Sequence, residues 1–446
     1  MKPHIRALLE APVFPTLVRL AAPNIFLAFM QALVSLSDTW FISQTGTSGL
    51  AGIALVFPLL MLMQMMSAGA IGGGVSSAIS RALGSGNTDK AEMLAMHAVL
   101  IALAFGLLFT VVLLGVGPGL YMLLGGKGVA LDRAIAYSTI VFGGALTVWL
   151  CNILANILRG TGNMIVPATV LSITASIQIP LCGALVLGWG PFPQMGIVGA
   201  AISYVCCFGA AALYFAFHIQ TGGSGLHLHW RSLKLDASLF KNILGVGLLS
   251  SVNAVQTITT TVIVTGLVGS FGTAAIAGYG LGVRLELLQI PIIFAIGSAL
   301  VPMVGTNIGA GNVKRARKAA WIGAGIAAGI TGSVGMTVAL WPNLWAGLFS
   351  SDPGVLNTGY TYLRIAGPCY IFLGIGIALY FASQGAGKVI LPMLAGTARF
   401  IIAAVGGLLC IRYMGGGLIF LFALIALGMF VLGIGAAAAV KFRDWR

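Results

Sequence analysis

The sequence predicts an all-α polytopic membrane protein with twelve transmembrane helices. Of its 446 residues, 59% are hydrophobic and only 7% are charged, whereas soluble domains carry about 25% charged residues. At about 20 residues per span, a chain of this length accommodates roughly a dozen membrane helices. The 63 glycines suit membrane helices that pack closely through small residues. The composition therefore excludes a soluble globular enzyme.

Charged residues and clusters of Gly, Pro and Asn divide the chain into apolar segments that are long enough to span a bilayer. These predicted helices cover residues 16–42, 51–80, 92–116, 134–158, 164–187, 197–218, 240–268, 274–306, 315–340, 358–383, 389–411 and 417–440.

The basic residues predict the orientation of these helices. Lys and Arg outnumber Asp and Glu by 23 to nine, which gives a formal net charge of +14. With a cytoplasmic N-terminus, 17 of the 23 basic residues fall on the inner side and three on the outer side. The positive-inside rule then places both termini in the cytoplasm. Because topology accounts for the charge, no nucleic-acid partner is expected.

The chain contains an internal duplication. Four motifs recur at a step of 225 or 226 residues: Gly-Thr at 46–47 and 272–273, Gly-Ser/Ala-Gly-Asn at 84–87 and 309–312, Tyr137 and Tyr362, and Gly-Thr/Ala-Gly at 160–162 and 385–387. The duplicated unit comprises six helices. Since an even number of helices returns the chain to its starting side, both copies have the same orientation.

The predicted architecture is two six-helix lobes related by a pseudo-two-fold axis along the membrane normal. The N-terminal lobe covers residues 1–218 and the C-terminal lobe residues 240–446, with a cytoplasmic linker at 219–239 that contains His227, His229 and Trp230. Two equal lobes suit a transporter that works by alternating access, with its substrate site between them.

Asp38 is the first candidate functional residue, because a charge in the bilayer interior costs at least about 2.5 kcal/mol. Asn24, Gln31, Ser35 and Asp38 follow at steps of seven, four and three residues, so they share one helix face. This polar stripe predicts a hydrated cavity. The alternative is an aspartate hydrated at the membrane interface.

Apart from Glu92, which lies at a helix end, Glu286 is the only other acid within a predicted span. It is a candidate for ion coupling or substrate contact. The alternative is a buried ion pair that fixes helix packing. Arg284 is two residues away and does not face Glu286 on a helix, whereas Arg399 is a candidate counter-charge.

Uncharged polar residues supply further candidates for the cavity. They occur at helical spacing or on helices that carry other polar groups: Asn152, Asn156, Gln178, Asn253, Gln256 and Thr260. Each could contact substrate or bond between helices. His97, the one histidine in the interior of a predicted span, is expected to be a packing residue rather than a proton carrier.

The sequence gives no sign of catalytic or metal chemistry. The six cysteines lie in apolar runs without metal-ligand spacing, and we expect neither disulfides nor a zinc site. There is no nucleotide-binding loop and no catalytic triad. We therefore expect no enzyme activity and no cofactor other than a coupling ion.

Several motifs resemble the multidrug and toxic compound extrusion (MATE) family, in its bacterial branch. They are Asp-Thr-Trp-Phe at 38–41, Arg-Gly-Thr-Gly-Asn at 159–163, Arg-Leu-Glu at 284–286, and Gly-Thr-Asn-Ile-Gly-Ala-Gly at 305–311. The resemblance implies export of organic cations or amphipathic drug-like compounds across the inner membrane, driven by inward H⁺ or Na⁺. By position, Asp38 matches the family's coupling aspartate and Glu286 the glutamate of its helix 8 motif.

Two departures from the family pattern favour H⁺ over Na⁺. Many members carry an acid or asparagine in helix 5, where this chain has Gln178, and some carry a helix 7 glutamate, which is absent here. We expect a protein that works as a monomer with the lipid bilayer and a small amphipathic substrate as its partners.

The alternative function is a flippase for lipid-linked sugars or other amphipathic lipids of the same superfamily. That activity would favour basic residues lining the cavity, for which Arg284, Arg364 and Arg399 are the candidates within spans. Convergence of these arginines on the cavity favours a flippase, whereas snorkelling or buried pairing favours an exporter. A channel is disfavoured because nothing resembles a selectivity filter.

Overall fold

A computed structural model describes residues 3–223, 225–227, 234–442 and 444–445, which contain helices and no strands. The linker residues His229 and Trp230 lie outside these described residues.

In the first half of the chain the helices are α1 (Pro3–Glu10), α2 (Val13–Ser43), α3 (Thr47–Gln64), α4 (Gly72–Gly84), α5 (Thr88–Leu123), α6 (Gly128–Gly143), α7 (Ala145–Gly160), α8 (Ile165–Leu187) and α9 (Ile197–Gln220). In the second half they are α10 (Ala237–Gly269), α11 (Thr273–Gly309), α12 (Val313–Leu340), α13 (Asn343–Ala346), α14 (Pro353–Ala366), α15 (Tyr370–Gly385), α16 (Ile390–Phe400), α17 (Gly407–Met414) and α18 (Leu418–Phe442).

The predicted twelve membrane spans are confirmed. Eleven helical stretches of the described chain are long and apolar enough to cross a bilayer. The twelfth span is the pair α6 and α7, which meet at a bend of 48°. Gly144 lies at this bend, where a Cβ would come within 2.4 Å of the Val205 side chain.

The turns between spans have the same backbone conformation at equivalent positions of the two repeats. Glycines at equivalent positions of the two repeats adopt nearly the same left-handed φ: 101° at Gly46 and 106° at Gly272, and 79° at Gly86 and 78° at Gly311. Residues other than glycine rarely adopt these angles. The recurring glycine motifs therefore mark turns of the same geometry.

The chain divides into two compact units. Unit 1 consists mainly of the first half of the sequence and unit 2 mainly of the second half, but each also contains a segment from the opposite half. Unit 1 comprises residues 1–5 and 22–247, and unit 2 comprises residues 6–21 and 248–446. Helix α2 thus enters unit 1 at Ala22, and α10 enters unit 2 at Leu248, a position 226 residues later. The lobe boundaries at 218 and 240 stay a prediction from the sequence.

Residues 6–10 of α1 belong to unit 2, where the helices around them hold them in place. Leu8 is 1% exposed and belongs to a core cluster with Met303, Ala316 and Trp445. The Arg315 guanidinium donates hydrogen bonds to the carbonyl of Leu8, in the last turn of α1, and to the carbonyl of Ala11, which follows the helix. These bonds supply partners to carbonyls that a helix C-terminus leaves unpaired.

Two membrane helices contain π-helical segments, Met65–Ile71 between α3 and α4, and Ile401–Gly406 between α16 and α17. Such segments are rare and often occur at functional sites. In unit 1, the Asn156 amide donates to the Ala68 carbonyl at 3.0 Å, within the first of these segments. A Cβ at Gly72 would lie 2.3 Å from Asn156 Nδ2, so Gly72 permits this approach.

Candidate functional site

Asp38 lies half-buried on α2 and faces α8 within unit 1. Gln178 Nε2 donates to Asp38 Oδ2 at 3.2 Å, and the Cys182 thiol also hydrogen-bonds to the carboxyl group. Gln178 and Cys182 are four residues apart on α8, so both side chains point to the same side of that helix. Asp38 Oδ1 is buried and has no hydrogen-bond partner among the described residues.

Two tyrosines complete the surroundings of Asp38. Tyr137 on α6 and Tyr204 on α9 both lie close enough to interact electrostatically with its carboxyl group. Tyr204 in turn accepts a hydrogen bond from Gln64 Nε2. Asp38 is therefore surrounded by an amide, a thiol and phenols from three other helices.

This polar cluster continues into the π-helical segment Met65–Ile71. Asn152 Nδ2 donates to Gln64 Oε1 at 2.9 Å and to Ser67 Oγ at 2.8 Å. Both Asn152 and Asn156 are buried, and their amide groups donate hydrogen bonds to neighbouring backbone carbonyls and side chains. The sequence left two possibilities for Asn152 and Asn156, substrate contact and bonds between helices. In the structure both side chains make bonds between helices.

The rest of the predicted stripe on α2 differs in exposure along the helix. Gln31 and Ser35 are exposed, whereas Asn24 is buried and donates to Met164 Sδ at 3.6 Å. The stripe therefore runs from a packed end at Asn24 through exposed positions to the half-buried Asp38.

Unit 2 holds the second intramembrane acid. The Tyr362 hydroxyl donates to Glu286 Oε1, and Arg399 on α16 interacts electrostatically with the Glu286 carboxyl group. Tyr362 packs against Tyr279 and Phe422 with ring centroids 5.1 and 5.0 Å away. Tyr362 is the repeat equivalent of Tyr137, so each unit sets a tyrosine at this position beside its acid.

The polar residues of α10 lie beside α16 and α15 in unit 2. Gln256 Nε2 donates to Thr397 Oγ1 at 2.8 Å, and Thr260 Oγ1 donates to the Gln256 carbonyl at 2.7 Å. Asn253 is close to Gly396, where a Cβ would lie 2.4 Å from Asn253 Oδ1. All three side chains are half-buried.

No group of three or more His, Cys, Asp and Glu side chains in the described part of the chain could hold a metal ion. The two acids lie in different units and are each surrounded by neutral donors or an arginine.

The MatE family model matches residues 23–183 and 250–409, one match in each repeat and together more than two thirds of the chain. The chain belongs to the MatE family. It is a membrane transporter of the multidrug efflux type in the inner membrane, and not an enzyme.

Relatives support this membership. The chain is 29% identical over 389 residues to the FAD transporter of Shewanella oneidensis, which covers 84% of this chain and 82% of that protein. It is 25% identical over 389 residues to the probable multidrug resistance protein NorM of Thermotoga maritima, which covers 85% of this chain and 81% of that protein.

Solved transporter structures share the fold. A MOP superfamily transporter from Pyrococcus furiosus superposes with a TM-score of 0.90, at 24% identity, over 99% of this chain and 100% of that chain. An outward-facing multidrug resistance MATE transporter superposes with a TM-score of 0.89, at 24% identity, over 99% of this chain and 98% of that chain.

The sequence does not predict every residue of this MATE site. Cys182, Tyr204 and Gln64 are not among the predicted site residues, although Cys182 follows Gln178 by one helical turn and that spacing is visible in the sequence. Tyr137 and Tyr362 are predicted only as equivalent positions of the repeat. Nothing local in the sequence shows that either tyrosine approaches an acid.

Proposed function

We propose that this MATE transporter exports organic cations or amphipathic drug-like compounds, driven by inward H⁺ through alternating access, with Asp38 as the coupling site. The observation that carries the proposal is the environment of Asp38, a half-buried carboxyl group contacted by Gln178 and Cys182. One carboxyl oxygen lacks a partner among the described residues. Such a group can take up a proton without any further ligand.

The same environment argues against Na⁺. A hard cation requires several oxygen ligands, whereas the described side chains that hydrogen-bond to Asp38 are an amide NH₂ and a thiol. The proposal therefore keeps H⁺ as the coupling ion, with Na⁺ as the alternative tested below.

Protonation drives transport only if the proton binds more tightly in one conformation than in the other. In the proposed cycle, Asp38 takes up a proton from outside and exchanges its hydrogen-bond partners, which favours release of substrate. Loss of the proton toward the cytoplasm restores the state that binds substrate tightly.

The first prediction concerns Asp38→Asn in proteoliposomes with an imposed pH gradient. We expect substrate efflux to fall at least about tenfold, because the amide cannot take up the coupling proton. Asp38→Glu, which keeps a titratable group, should retain part of the activity. Asp132→Asn, which alters an exposed acid at the start of α6, is the control and should transport normally. Full pH-driven efflux by Asp38→Asn would contradict the proposal, as would efflux driven by a Na⁺ gradient alone.

Glu286 is the second candidate coupling residue. Its contacts with Tyr362 and Arg399 support the alternative of a buried pair that fixes helix packing. In the same liposomes, Glu286→Gln separates the two roles. A packing role leaves efflux dependent on the pH gradient but lowers thermal stability, whereas a coupling role abolishes the response to the gradient.

The flippase alternative is weaker because the three arginines lie in different surroundings. Arg284 lies over the Phe349 ring at 5.9 Å, Arg364 is exposed, and Arg399 interacts with Glu286. The Shewanella relative adds FAD as a second substrate class to include. Transport assays in liposomes that contain the monomeric protein distinguish these three substrate classes. The panel consists of an organic cation, FAD and a lipid-linked sugar.

A further inference from the structure

His97 on α5 is fully buried and its ring makes two hydrogen bonds with opposite requirements. Nδ1 lies 2.7 Å from the Met93 carbonyl, which can only accept. Nε2 lies 3.0 Å from the backbone N–H of Asp236, which can only donate. Both contacts are satisfied only by the neutral imidazole that carries its proton on Nδ1.

Asp236 immediately precedes α10, so this bond holds the beginning of that helix against α5 within unit 1. The Phe240 ring packs edge-on against the His97 ring with centroids 4.7 Å apart. On α4, Arg81 Nη2 donates to Asn242 Oδ1 at 2.7 Å. Upstream, Glu92 Oε1 accepts the backbone N–H of His227 at 3.0 Å. The segment is therefore attached to α4 and α5 at several points, one of which is the imidazole ring of His97.

We propose that His97 is a positioning residue that holds the start of α10 while its ring is neutral and releases it when the ring is protonated. An imidazolium carries N–H groups on both nitrogens and has no lone pair to accept from Asp236. Two N–H donors would then face each other in a buried site, and burying an unpaired donor is costly. An imidazole side chain in general changes its charge between about pH 5 and 8.

Other charged groups lie on the elements that surround His97. Asp236 and Lys241 lie on the α10 segment, Arg81 on α4, and Asp89, Lys90 and Glu92 on α5 itself. Asp236 interacts electrostatically with His97. Hydrogen bonds from the side chain and backbone of Ser238 lower the pKa of Asp236, so its carboxylate is already charged throughout the range in which imidazole titrates. His227 carries a second imidazole on this segment, so the His97→Gln variant decides whether a change between about pH 5.5 and 8 belongs to His97 or to another group.

We call the hydrogen bond between His97 Nε2 and the Asp236 N–H the latch. Its position in the chain indicates what it controls. The basic residues place this end of α5 on the cytoplasmic side. The first ten or so residues of α10 belong to unit 1 and the remainder to unit 2, so the latch fixes the inner end of a helix shared by both units. The inference does not depend on Asp38 or on which ion drives transport.

Hydrogen exchange of the backbone amides of residues 234–240 tests the latch in the full-length protein in nanodiscs, without substrate or gradient. After correction for intrinsic exchange, the wild type should lose about 3- to 10-fold in protection between about pH 8 and about pH 5.5, the effect of losing one hydrogen bond. His97→Gln should keep high protection at both pH values, because its amide can donate to Met93 and accept from Asp236 without titrating. His97→Phe should show low protection at both.

Two outcomes would overturn the latch. One is wild-type protection that does not change between the two pH values. The other is a pH dependence in His97→Gln equal to that of the wild type, which would assign the titration to another group. Failure of Asp38→Asn to affect transport would leave these results unchanged, so the two proposals fail separately.

Discussion

At the scale of single residues, glycine determines how closely the helices of unit 2 approach each other. Gly335 on α12 and Gly367 at the end of α14 meet backbone to backbone. A Cβ at Gly335 would lie 2.1 Å from the Gly367 carbonyl, whereas a Cβ at Gly325 on the same helix meets nothing within 4 Å. Gly335 and Gly325 thus lie on the same helix, but only the contact at Gly335 leaves no space for a side chain.

The residue-scale prediction compares Gly335→Ala with Gly325→Ala. Gly335→Ala should lower the apparent Tm by several degrees, because forcing a methyl group into a closed contact costs about 1–3 kcal/mol. Gly325→Ala should leave Tm unchanged or raise it, since alanine favours helix. Thermal unfolding of both variants in the same detergent measures the difference. Equal Tm values would show that the contact between Gly335 and Gly367 can accommodate a methyl group without loss of stability.

The candidate site was predicted in part at this scale. The sequence predicts Asp38 and Gln178 as site residues because both are polar groups in apolar helices. Their contact was not predictable, since the two residues are 140 positions apart and helical periodicity relates only neighbours on one helix. The same reason hid Tyr362 beside Glu286 and Asp236 beside His97.

At the scale of elements, the twelve spans follow from hydropathy alone, because a membrane helix must be apolar over its whole length. The π-helical segment at Met65–Ile71 does not follow, since its residues are compatible with an α-helix. Its geometry depends on carbonyls that find donors elsewhere, here the amide of Asn156 on α7. Tertiary contacts of this kind leave no local pattern.

The element-scale prediction concerns the attachment of α1. Arg315→Gln removes the guanidinium that donates to the Leu8 and Ala11 carbonyls. We expect hydrogen exchange in α1 to increase at least about tenfold, because hydrogen bonds from charged groups contribute more than neutral ones. Lys318→Gln, which alters an exposed cation on the same helix, is the control. Similar exchange of α1 in both variants would mean that its apolar packing holds it without Arg315.

At the scale of the whole molecule, neither half of the sequence contains all of one unit. Unit 1 needs the beginning of α10, and unit 2 needs residues 6–21 from the first half. The duplication was visible in the sequence, but this exchange was not, because the repeat motifs define equivalent positions without showing which unit each segment joins.

The prediction at this scale uses fragments 1–223 and 224–446. Each fragment expressed alone should aggregate or elute as a broad species on size-exclusion chromatography, because its unit lacks a segment. Co-expressed fragments should co-purify through a tag on either one and approach the intact chain in Tm. A monodisperse fragment 1–223, as stable alone as with its partner, would show that the exchanged segment is dispensable.

The exchanged segments also have a consequence for how such a chain arises. Two copies of a six-helix ancestor that traded their first segments would form a domain-swapped homodimer, whose assembly obeys mass action. Joining the copies in one chain replaces the free concentration of a partner by a fixed effective concentration within the molecule. The intact transporter should then unfold at a temperature independent of its dilution, whereas the reassembled fragments should lose stability as they are diluted.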